Sequence, residues 1–166
     1  THSANKKLEN QESDIKDNLK KLKLGDDVFP LGRLDKNSHG LIILTNDGRI
    51  TENLLSRDKA HEKEYIIKTS NKLRGNFKEK MEKGVDIEGY VTRPCKVTIV
   101  NDFTFKVILT EGKKHQIRRM CSALFQEVAD LKRTRVLNIL LGNLKSNQFR
   151  EIKGKDLETF LSQVLK

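Results

Sequence analysis

The segment from Gly32 to Leu41 places an acid between two cations, directly before a run of apolar residues. The acid is Asp35, and the neighbouring charges of Arg33 and Lys36 favour its ionised form. A carboxylate in a loop that a buried strand holds in place can act as a nucleophile or as a base. The same pattern also suits an aspartate that only closes a turn, so a structural role stays open.

Several other chemistries are excluded by what the sequence lacks. It contains no Gly-x-Ser-x-Gly elbow, no His-Glu-x-x-His zinc motif and no Gly-x-x-x-x-Gly-Lys phosphate loop. The cysteines Cys95 and Cys121 have no second pair of ligands at zinc-like spacing, which predicts free thiols in a reducing compartment. No apolar run approaches the ~18 residues of a membrane span, so we expect a soluble, cytoplasmic protein without membrane contact.

The charge of the chain favours a polyanionic partner. Its 33 Lys and Arg outnumber 23 Asp and Glu, which gives a net charge of +10 at pH 7. Residues 113–135 carry a net charge of +5, whereas residues 1–27 are neutral. Such a concentrated basic patch is typical of phosphate-backbone binding, with ordinary solvated lysines and arginines as the alternative.

Hydrophobic periodicity predicts the elements that position these residues. Short apolar or β-branched runs predict strands, and apolar residues at helical spacing predict helices. Because several connections are too short for crossovers, we expect an α/β (α+β) domain with a mixed, largely antiparallel central sheet and flanking helices. The predicted strands are 40–45, 63–69, 85–91, 94–100, 103–110, 128–141 and 148–152, the predicted helices are 14–22, 49–56, 77–83, 115–125 and 157–164, and 28–34 is expected to be a turn-rich or edge segment.

Several segments follow one another in the order of one known family. They are Gly32-Arg33-Leu34-Asp35, Ser38-x-Gly40-Leu41, Leu44-Thr45-Asn46-Asp47-Gly48, Lys63-Glu64-Tyr65, Gly84-Val85-x-Ile87-x-Gly89-x-x-Thr92-x-Pro94-Cys95-x-Val97 and Glu111-Gly112-Lys113-x-His115-Gln116-Ile117-Arg118-Arg119-Met120. Together they resemble the RsuA-type ribosomal-RNA pseudouridine synthases, most closely the subgroup that modifies large-subunit RNA. The resemblance runs from about Phe29 to the C-terminal helix and implies the catalytic-domain fold of that family.

The resemblance implies a catalytic role for three residues. Asp35 falls on the family's essential aspartate, which acts on the ribose or base of a flipped uridine while the glycosidic bond breaks and uracil is rejoined through carbon. Tyr65 falls on the aromatic residue that stacks against the target base and is a candidate for proton transfer. Arg118 falls on the basic residue that pairs with the catalytic carboxylate. By residue type alone, Tyr65 also suits a core strand position and Arg118 a phosphate contact.

The resemblance also implies a structured RNA partner, with 23S ribosomal RNA as the first candidate and transfer RNA as a further one. Isomerisation adds and removes no atoms, so no cofactor and no metal are expected. We expect the protein to be a monomer. The predicted RNA contacts are Arg33, Lys36, Lys113, Lys114, His115, Gln116, Arg119, Lys132, Arg133 and Arg135.

Some parts of the family pattern do not match. The small N-terminal RNA-binding module of the ribosomal-protein S4 type and the first catalytic-domain strand with its Lys-Pro signature have no counterpart here, and Ser38 stands where the family usually has threonine. We interpret residues 1–27 as a polar, partly disordered lead-in and residues 28–166 as the catalytic domain. Two other functions stay open: a catalytically inactive RNA-binding or ribosome-assembly factor with the same fold, and a general nucleic-acid-binding module.

Overall fold

The structure of the protein, a computed structural model, describes residues 28–32, 34–54 and 60–165. The helices in these ranges are α1 (Gly48–Leu54), α2 (Phe77–Lys83), α3 (Gln116–Ala123) and α4 (Gly154–Val164), and none of them is long and apolar enough to cross a membrane. The strands are β1 (Phe29–Pro30), β2 (His39–Gly40), β3 (Leu44–Thr45), β4 (Lys63–Thr69), β5 (Asp86–Ile87), β6 (Tyr90–Val91), β7 (Lys96–Asn101), β8 (Thr104–Leu109), β9 (Val128–Val136) and β10 (Ile139–Leu140).

A six-stranded sheet forms the centre of the fold. Five strands lie in the order β10-β9-β4-β8-β7, each antiparallel to its neighbours, and β2 adds to β9 in parallel. In the β2–β9 pairing, His39 lies opposite Lys132 and Gly40 opposite Arg133. The short pairs β1–β3 and β5–β6 lie outside this sheet. The predicted mixed, largely antiparallel sheet with flanking helices is confirmed.

Two hydrophobic clusters hold the helices in place. Phe77 and Met81 of α2 and Met120 and Cys121 of α3 are at most 1% exposed and pack with residues of β4, β7, β8 and β9. The second cluster joins α1 and α4 to β10 and to the segment that follows β2. Burial of a side chain of this size contributes about 1.5–3 kcal/mol to the free energy of unfolding. These contacts therefore hold α2 and α3 against the sheet.

Most of the predicted elements are confirmed to within a few residues. β4, α2, α3, α4 and the β7–β8 hairpin lie where the hydrophobic pattern places them, and the edge segment contains β1. The run 128–141 forms two strands, β9 and β10, and the run 85–91 is split at Gly89 into β5 and β6. The predicted helix 14–22 lies outside the described residues.

Two predicted strands are wrong. The run 40–45 is not one buried strand, because β2 ends at Gly40 and β3 begins at Leu44. Leu41 and Ile43 are nevertheless buried, since they pack into the second hydrophobic cluster rather than extending a sheet. Residues 148–152 form no strand, and their side chains are mostly exposed.

Candidate active site

Asp35 lies in the loop that leads into β2. Its main-chain oxygen accepts a hydrogen bond from the amide of Ser38 at 2.8 Å, which closes a tight turn. Shortly after this turn, the amide of Leu41 donates to the main-chain oxygen of Arg133 at 2.8 Å. The loop is therefore fixed to the central sheet at its carboxyl end, while the Asp35 side chain remains 39% exposed.

His115 reaches the carboxylate of Asp35. Its Nε2 lies 3.6 Å from Asp35 Oδ1, and its side chain is half exposed. His115 directly precedes α3 with a φ of 51°, in the left-handed region, so the backbone turns sharply before the helix begins. The sequence predicted an RNA contact for His115, and the structure places it beside the carboxylate of Asp35.

Tyr65 lies on β4, opposite Arg133 of β9, where the strand pairing is irregular between Glu64 and Tyr65. Burial raises the pKa of the Tyr65 phenol, the nearby and hydrogen-bonded Arg133 opposes that rise, and the charge of Asp35 adds to it. The phenol is therefore neutral near neutral pH. It is also close enough to both ionic groups to respond to their charges.

Arg133 connects Tyr65 to the Asp35 loop. The residue is 4% exposed, and its Nε donates to the main-chain oxygen of Leu41 at 2.8 Å. Burial lowers the pKa of the guanidinium, and the interaction with Tyr65, which includes a hydrogen bond, opposes that change. This depth of burial excludes a surface contact with an RNA phosphate, so the predicted role of Arg133 is corrected to an internal one.

Gly40 allows β2 to lie this close to β9. Its φ is +113°, which side chains rarely permit, and a Cβ at this position would lie 2.2 Å from the main-chain oxygen of Arg133. A glycine is therefore required for the parallel pairing that anchors the Asp35 loop.

Arg118 reaches the Asp35 loop from α3, but it contacts the main chain. Its Nη2 donates to the main-chain oxygen of Asn37 at 2.8 Å. Among the described residues it forms no ion pair with Asp35, so the direct pairing expected from the family pattern is absent from this arrangement. The Nε of Arg118 is buried and has no hydrogen-bond partner in the described ranges.

Glu111 organises the loop that precedes α3. Its carboxylate accepts hydrogen bonds from the phenol of Tyr90, from the amide of Arg93 at 2.8 Å and from the side-chain amide of Gln116 at 3.0 Å. Gln116 in turn accepts from the amide of Lys113 at 2.9 Å. Because Gln116 is 4% exposed, its predicted RNA contact is corrected to a structural role.

Two predicted RNA contacts are engaged with acidic side chains of the protein. Arg135 is 17% exposed and forms ion pairs with Glu64 at 3.1 Å and Glu62 at 3.3 Å. Arg119 lies 3.2 Å from Glu88 and also donates to main-chain oxygens. These contacts bind neighbouring elements together, so neither guanidinium is free to grip a phosphate in this conformation.

Among the described residues that were predicted to contact RNA, the accessible positive charges are lysines. The Nζ of Lys113 lies 4.5 Å from the centroid of the Tyr90 ring, which holds this amine near the loop that precedes α3. Arg33 lies outside the described residues. The other exposed or half-buried lysines of the set are Lys36, Lys114 and Lys132.

Three residues at this site had no role in the sequence-based prediction. Asn37 and Glu111 supply the acceptors that hold Arg118 and the loop before α3. Lys63 is half-buried, and burial lowers the pKa of its amine, as does the positive charge of Arg133. Glu111 and Lys63 each begin one of the matching segments, which is a usable signal, whereas Asn37 falls between two of them.

Two surface depressions lie beside the Asp35 loop. The larger, of about 1030 Å³, is lined partly by Leu34 and His39, which flank the Asp35 turn. The smaller, of about 500 Å³, is lined partly by Arg118 and Phe125. The described residues contain no group of three or more His, Cys, Asp or Glu side chains that could hold a metal ion.

Comparison with known proteins gives matches over most of the chain. A family model described as RNA pseudouridylate synthase matches residues 1–123. The chain is 41% identical over 130 residues to the dual-specificity RNA pseudouridine synthase RluF of Escherichia coli (strain K12), a match that covers 78% of this chain and 45% of that protein. It is 38% identical over 135 residues to the uncharacterized RNA pseudouridine synthase YtzG of Bacillus subtilis (strain 168), covering 78% of this chain and 56% of that protein. The chain thus spans about half the length of these relatives.

Solved structures share the same architecture. A crystal structure of a pseudouridylate synthase superimposes with a TM-score of 0.77 at 27% identity, covering 81% of this chain and 60% of that chain. The archaeal box H/ACA sRNP Nop10–Cbf5 complex gives a TM-score of 0.56 at 18% identity, over 78% of this chain and 44% of that chain, which is a likeness of fold alone. Since the family model covers well over half of the residues, the chain belongs to the RNA pseudouridylate synthase family.

Proposed function

We propose that this protein is an RNA pseudouridine synthase that isomerises a specific uridine in ribosomal RNA, with Asp35 as the reacting carboxylate. The observation that carries the proposal is the surroundings of Asp35. Its accessible carboxylate lies 3.6 Å from His115 and is close enough to the neutral phenol of Tyr65 to influence the pKa of that phenol. Membership of the RNA pseudouridylate synthase family supports this reaction class.

The proposed reaction needs a carboxylate held in position and an aromatic surface that contacts the uracil ring. The bond from the ribose to N1 of uracil breaks and a bond from the ribose to C5 forms. The proton of C5 leaves to solvent and N1 takes up a proton, so nothing is consumed. Asp35 acts on the ribose or base of a uridine turned out of its stack. Tyr65 offers an aromatic face to the released uracil and a neutral hydroxyl for proton transfer.

In this proposal Arg118 is a positioning residue for the Asp35 loop. Its guanidinium holds the main-chain oxygen of Asn37, two residues beyond Asp35. The accessible lysines Lys36, Lys113 and Lys114 surround the same loop or the loop before α3, where they suit contacts with RNA phosphates. The proposed first substrate is 23S ribosomal RNA, with transfer RNA as the second, in keeping with the dual specificity named for the relative from E. coli.

The test is release of tritium from RNA labelled at C5 of uridine. Asp35→Asn keeps the size of the side chain but removes its charge, so we expect at least a ~1,000-fold loss of tritium release. Asp102→Asn is the matched control, because Asp102 is an exposed aspartate in the β7–β8 turn, and we expect it to keep full activity. Full activity in Asp35→Asn would overturn the assignment.

One observation favours a second function, a catalytically inactive RNA-binding or ribosome-assembly factor. Arg118 contacts Asn37 instead of Asp35, so the carboxylate lacks the guanidinium partner that the family pattern leads one to expect. Wild-type protein that binds ribosomal RNA tightly but releases no tritium from 23S or transfer RNA would establish this alternative.

A further inference from the structure

Phe125 is an aromatic side chain held in solvent by a strained backbone. It follows α3, is 70% exposed and has a φ of 62°. The left-handed conformation after a helix is usually occupied by glycine, because a Cβ crowds the backbone there. Because the Phe125 side chain is mostly exposed, its burial offsets little of the backbone strain. Folding stability alone therefore does not favour phenylalanine at this position.

The backbone around Phe125 is fixed by a set of hydrogen bonds. The amide of Phe125 donates to the main-chain oxygen of Ser122 at 3.1 Å, and the next amide, of Gln126, donates to Cys121 at 2.8 Å. The side-chain amide of Asn71 donates to the main-chain oxygen of Phe125 at 2.9 Å. The ring therefore stands on a rigid support, and little conformational freedom remains to be lost when a ligand binds it.

One guanidinium lies against this ring, and a second arginine lines the depression beside it. The guanidinium carbon of Arg74 lies 5.0 Å from the centroid of the Phe125 ring, within cation–π range. Arg118 and Phe125 line the same depression of about 500 Å³, together with Glu127. The Nε of Arg118 is buried and without a hydrogen-bond partner among the described residues. The depression is thus lined by an aromatic residue, a basic residue and an acidic residue.

One residue links this depression to the Asp35 loop. Arg118 lines it and also donates from Nη2 to Asn37 in the Asp35 loop. A ligand seated on Phe125 would therefore share Arg118 with the loop that carries Asp35.

We propose that Phe125, Arg74 and Arg118 form a stacking site for an unpaired RNA base that neighbours the target uridine; this rests on the proposed function. The base lies on the Phe125 ring, and the guanidinium of Arg118 takes an adjoining phosphate. The carboxylate of Glu127 accepts from an exocyclic amino group, which favours adenine, guanine or cytosine over uracil. RNA is favoured over a protein partner because the chain carries a net charge of +10, the Arg74 guanidinium lies against the ring and Arg118 lines the same depression.

The first test measures binding of a fluorescein-labelled single-stranded RNA and of a fully paired RNA duplex by fluorescence anisotropy. Stacking requires an unpaired base, so Phe125→Ala is expected to weaken single-strand binding by about 5-fold to 100-fold and to leave duplex binding unchanged. Phe125→Tyr keeps the ring and should bind as wild type. Phe103→Ala is the matched control, since Phe103 is 47% exposed and lines neither depression.

A second variant separates binding from folding. Phe125→Gly removes the ring and suits the left-handed backbone, so its thermal stability should equal or exceed that of wild type while single-strand binding falls as in Phe125→Ala. Unchanged single-strand binding in Phe125→Gly, or an equal loss of single-strand and duplex binding, would overturn the stacking site. Loss of binding only to apolar peptides would assign the surface to a protein partner and would also overturn it.

The outcomes of this proposal and of the proposed function can be told apart. Asp35→Asn should lose tritium release and keep single-strand binding, whereas Phe125→Ala should raise the KM for RNA far more than it lowers kcat. If Asp35→Asn is inactive and Phe125→Ala behaves as wild type, the stacking site fails and the enzymatic assignment stands. If Asp35→Asn is fully active, the enzymatic assignment fails whatever Phe125→Ala shows.

Discussion

Arg133 and Leu41 exchange two hydrogen bonds across the β2–β9 junction. The amide of Leu41 donates to the main-chain oxygen of Arg133, and the Nε of Arg133 donates to the main-chain oxygen of Leu41, both at 2.8 Å. The same guanidinium is hydrogen-bonded to Tyr65. One buried side chain therefore fixes the distance between the aromatic residue on β4 and the loop that carries Asp35.

Replacing Arg133 should disturb this geometry. Arg133→Met leaves the buried acceptors of Leu41 and Tyr65 without their donor, so we expect the free energy of unfolding to fall by about 1–3 kcal/mol in urea denaturation. Misplacement of Tyr65 relative to Asp35 should lower kcat by about 100-fold. Arg133→Lys retains one charged donor without the planar fork, and an intermediate loss is expected.

Arg150 provides the control for that substitution. It is exposed, and its Nη2 donates to the main-chain oxygen of Leu140 at 2.8 Å, as Arg133 does to Leu41. Arg150→Met should change the free energy of unfolding by no more than about 0.5 kcal/mol and leave kcat unchanged. Equal effects in Arg150→Met and Arg133→Met would contradict a special role for Arg133.

Gly40→Ala should detach the Asp35 loop from the sheet. The added Cβ meets the main-chain oxygen of Arg133 at 2.2 Å, and the φ of +113° is unfavourable for alanine. We expect the free energy of unfolding to fall by about 3 kcal/mol, together with loss of activity. Gly48→Ala is the matched comparison, because nothing lies within 4 Å of its Cβ, and it should be neutral or slightly stabilising in the same denaturation assay.

The ionisation of tyrosine can be followed directly, since the chain has 2 Tyr and no Trp. Burial raises the pKa of Tyr65, and the hydrogen bond to Glu111 raises the pKa of Tyr90. In the folded protein, phenolate absorbance should therefore rise only above about pH 10, and denaturant should bring the transition down to about pH 10. Because both folded pKa values are raised, this contribution to stability is present below about pH 10 and is lost as the pH rises through the folded values.

Single substitutions assign the two transitions. In Tyr65→Phe, only the absorbance transition of Tyr90 should remain. Glu111→Gln should lower the pKa of Tyr90, because the charged acceptor of its hydrogen bond is removed. A phenol of the folded protein that ionises below about pH 10 would contradict these directions.

Local sequence patterns were sufficient for the elements that pack against the sheet. Phe77 and Met81 lie four residues apart in α2, and both are at most 1% exposed, as helical spacing requires of a buried face. The strand prediction for 40–45 is wrong because a continuous apolar run indicates burial but does not distinguish a strand from an irregular segment in a hydrophobic cluster. Sequence pattern thus predicted what is buried better than how its backbone is paired.

The arrangement of the site depends on contacts that no local pattern contains. Arg118 and Asn37 are 81 residues apart in the chain, and Arg133 and Leu41 are 92 residues apart. A basic residue in the sequence could face RNA or a main-chain oxygen, and only the fold distinguishes the two. For this reason the sequence could nominate basic residues by type, whereas it could not divide them into accessible lysines and internally bonded arginines.

The thiol of Cys121 should make the protein sensitive to alkaline pH. The residue is 0% exposed, and burial raises its pKa from 9.0 to about 12, with a small opposing effect of Arg118. A raised folded pKa means that the stabilisation is complete below pH 9.0 and is lost between pH 9.0 and about 12, at about 1.4 kcal/mol per pH unit. Urea denaturation across this range should show a steeper decline for wild type than for Cys121→Ala, which lacks the titrating group. Equal slopes for the two proteins would show that the thiol ionises as easily in the folded core as in the unfolded chain.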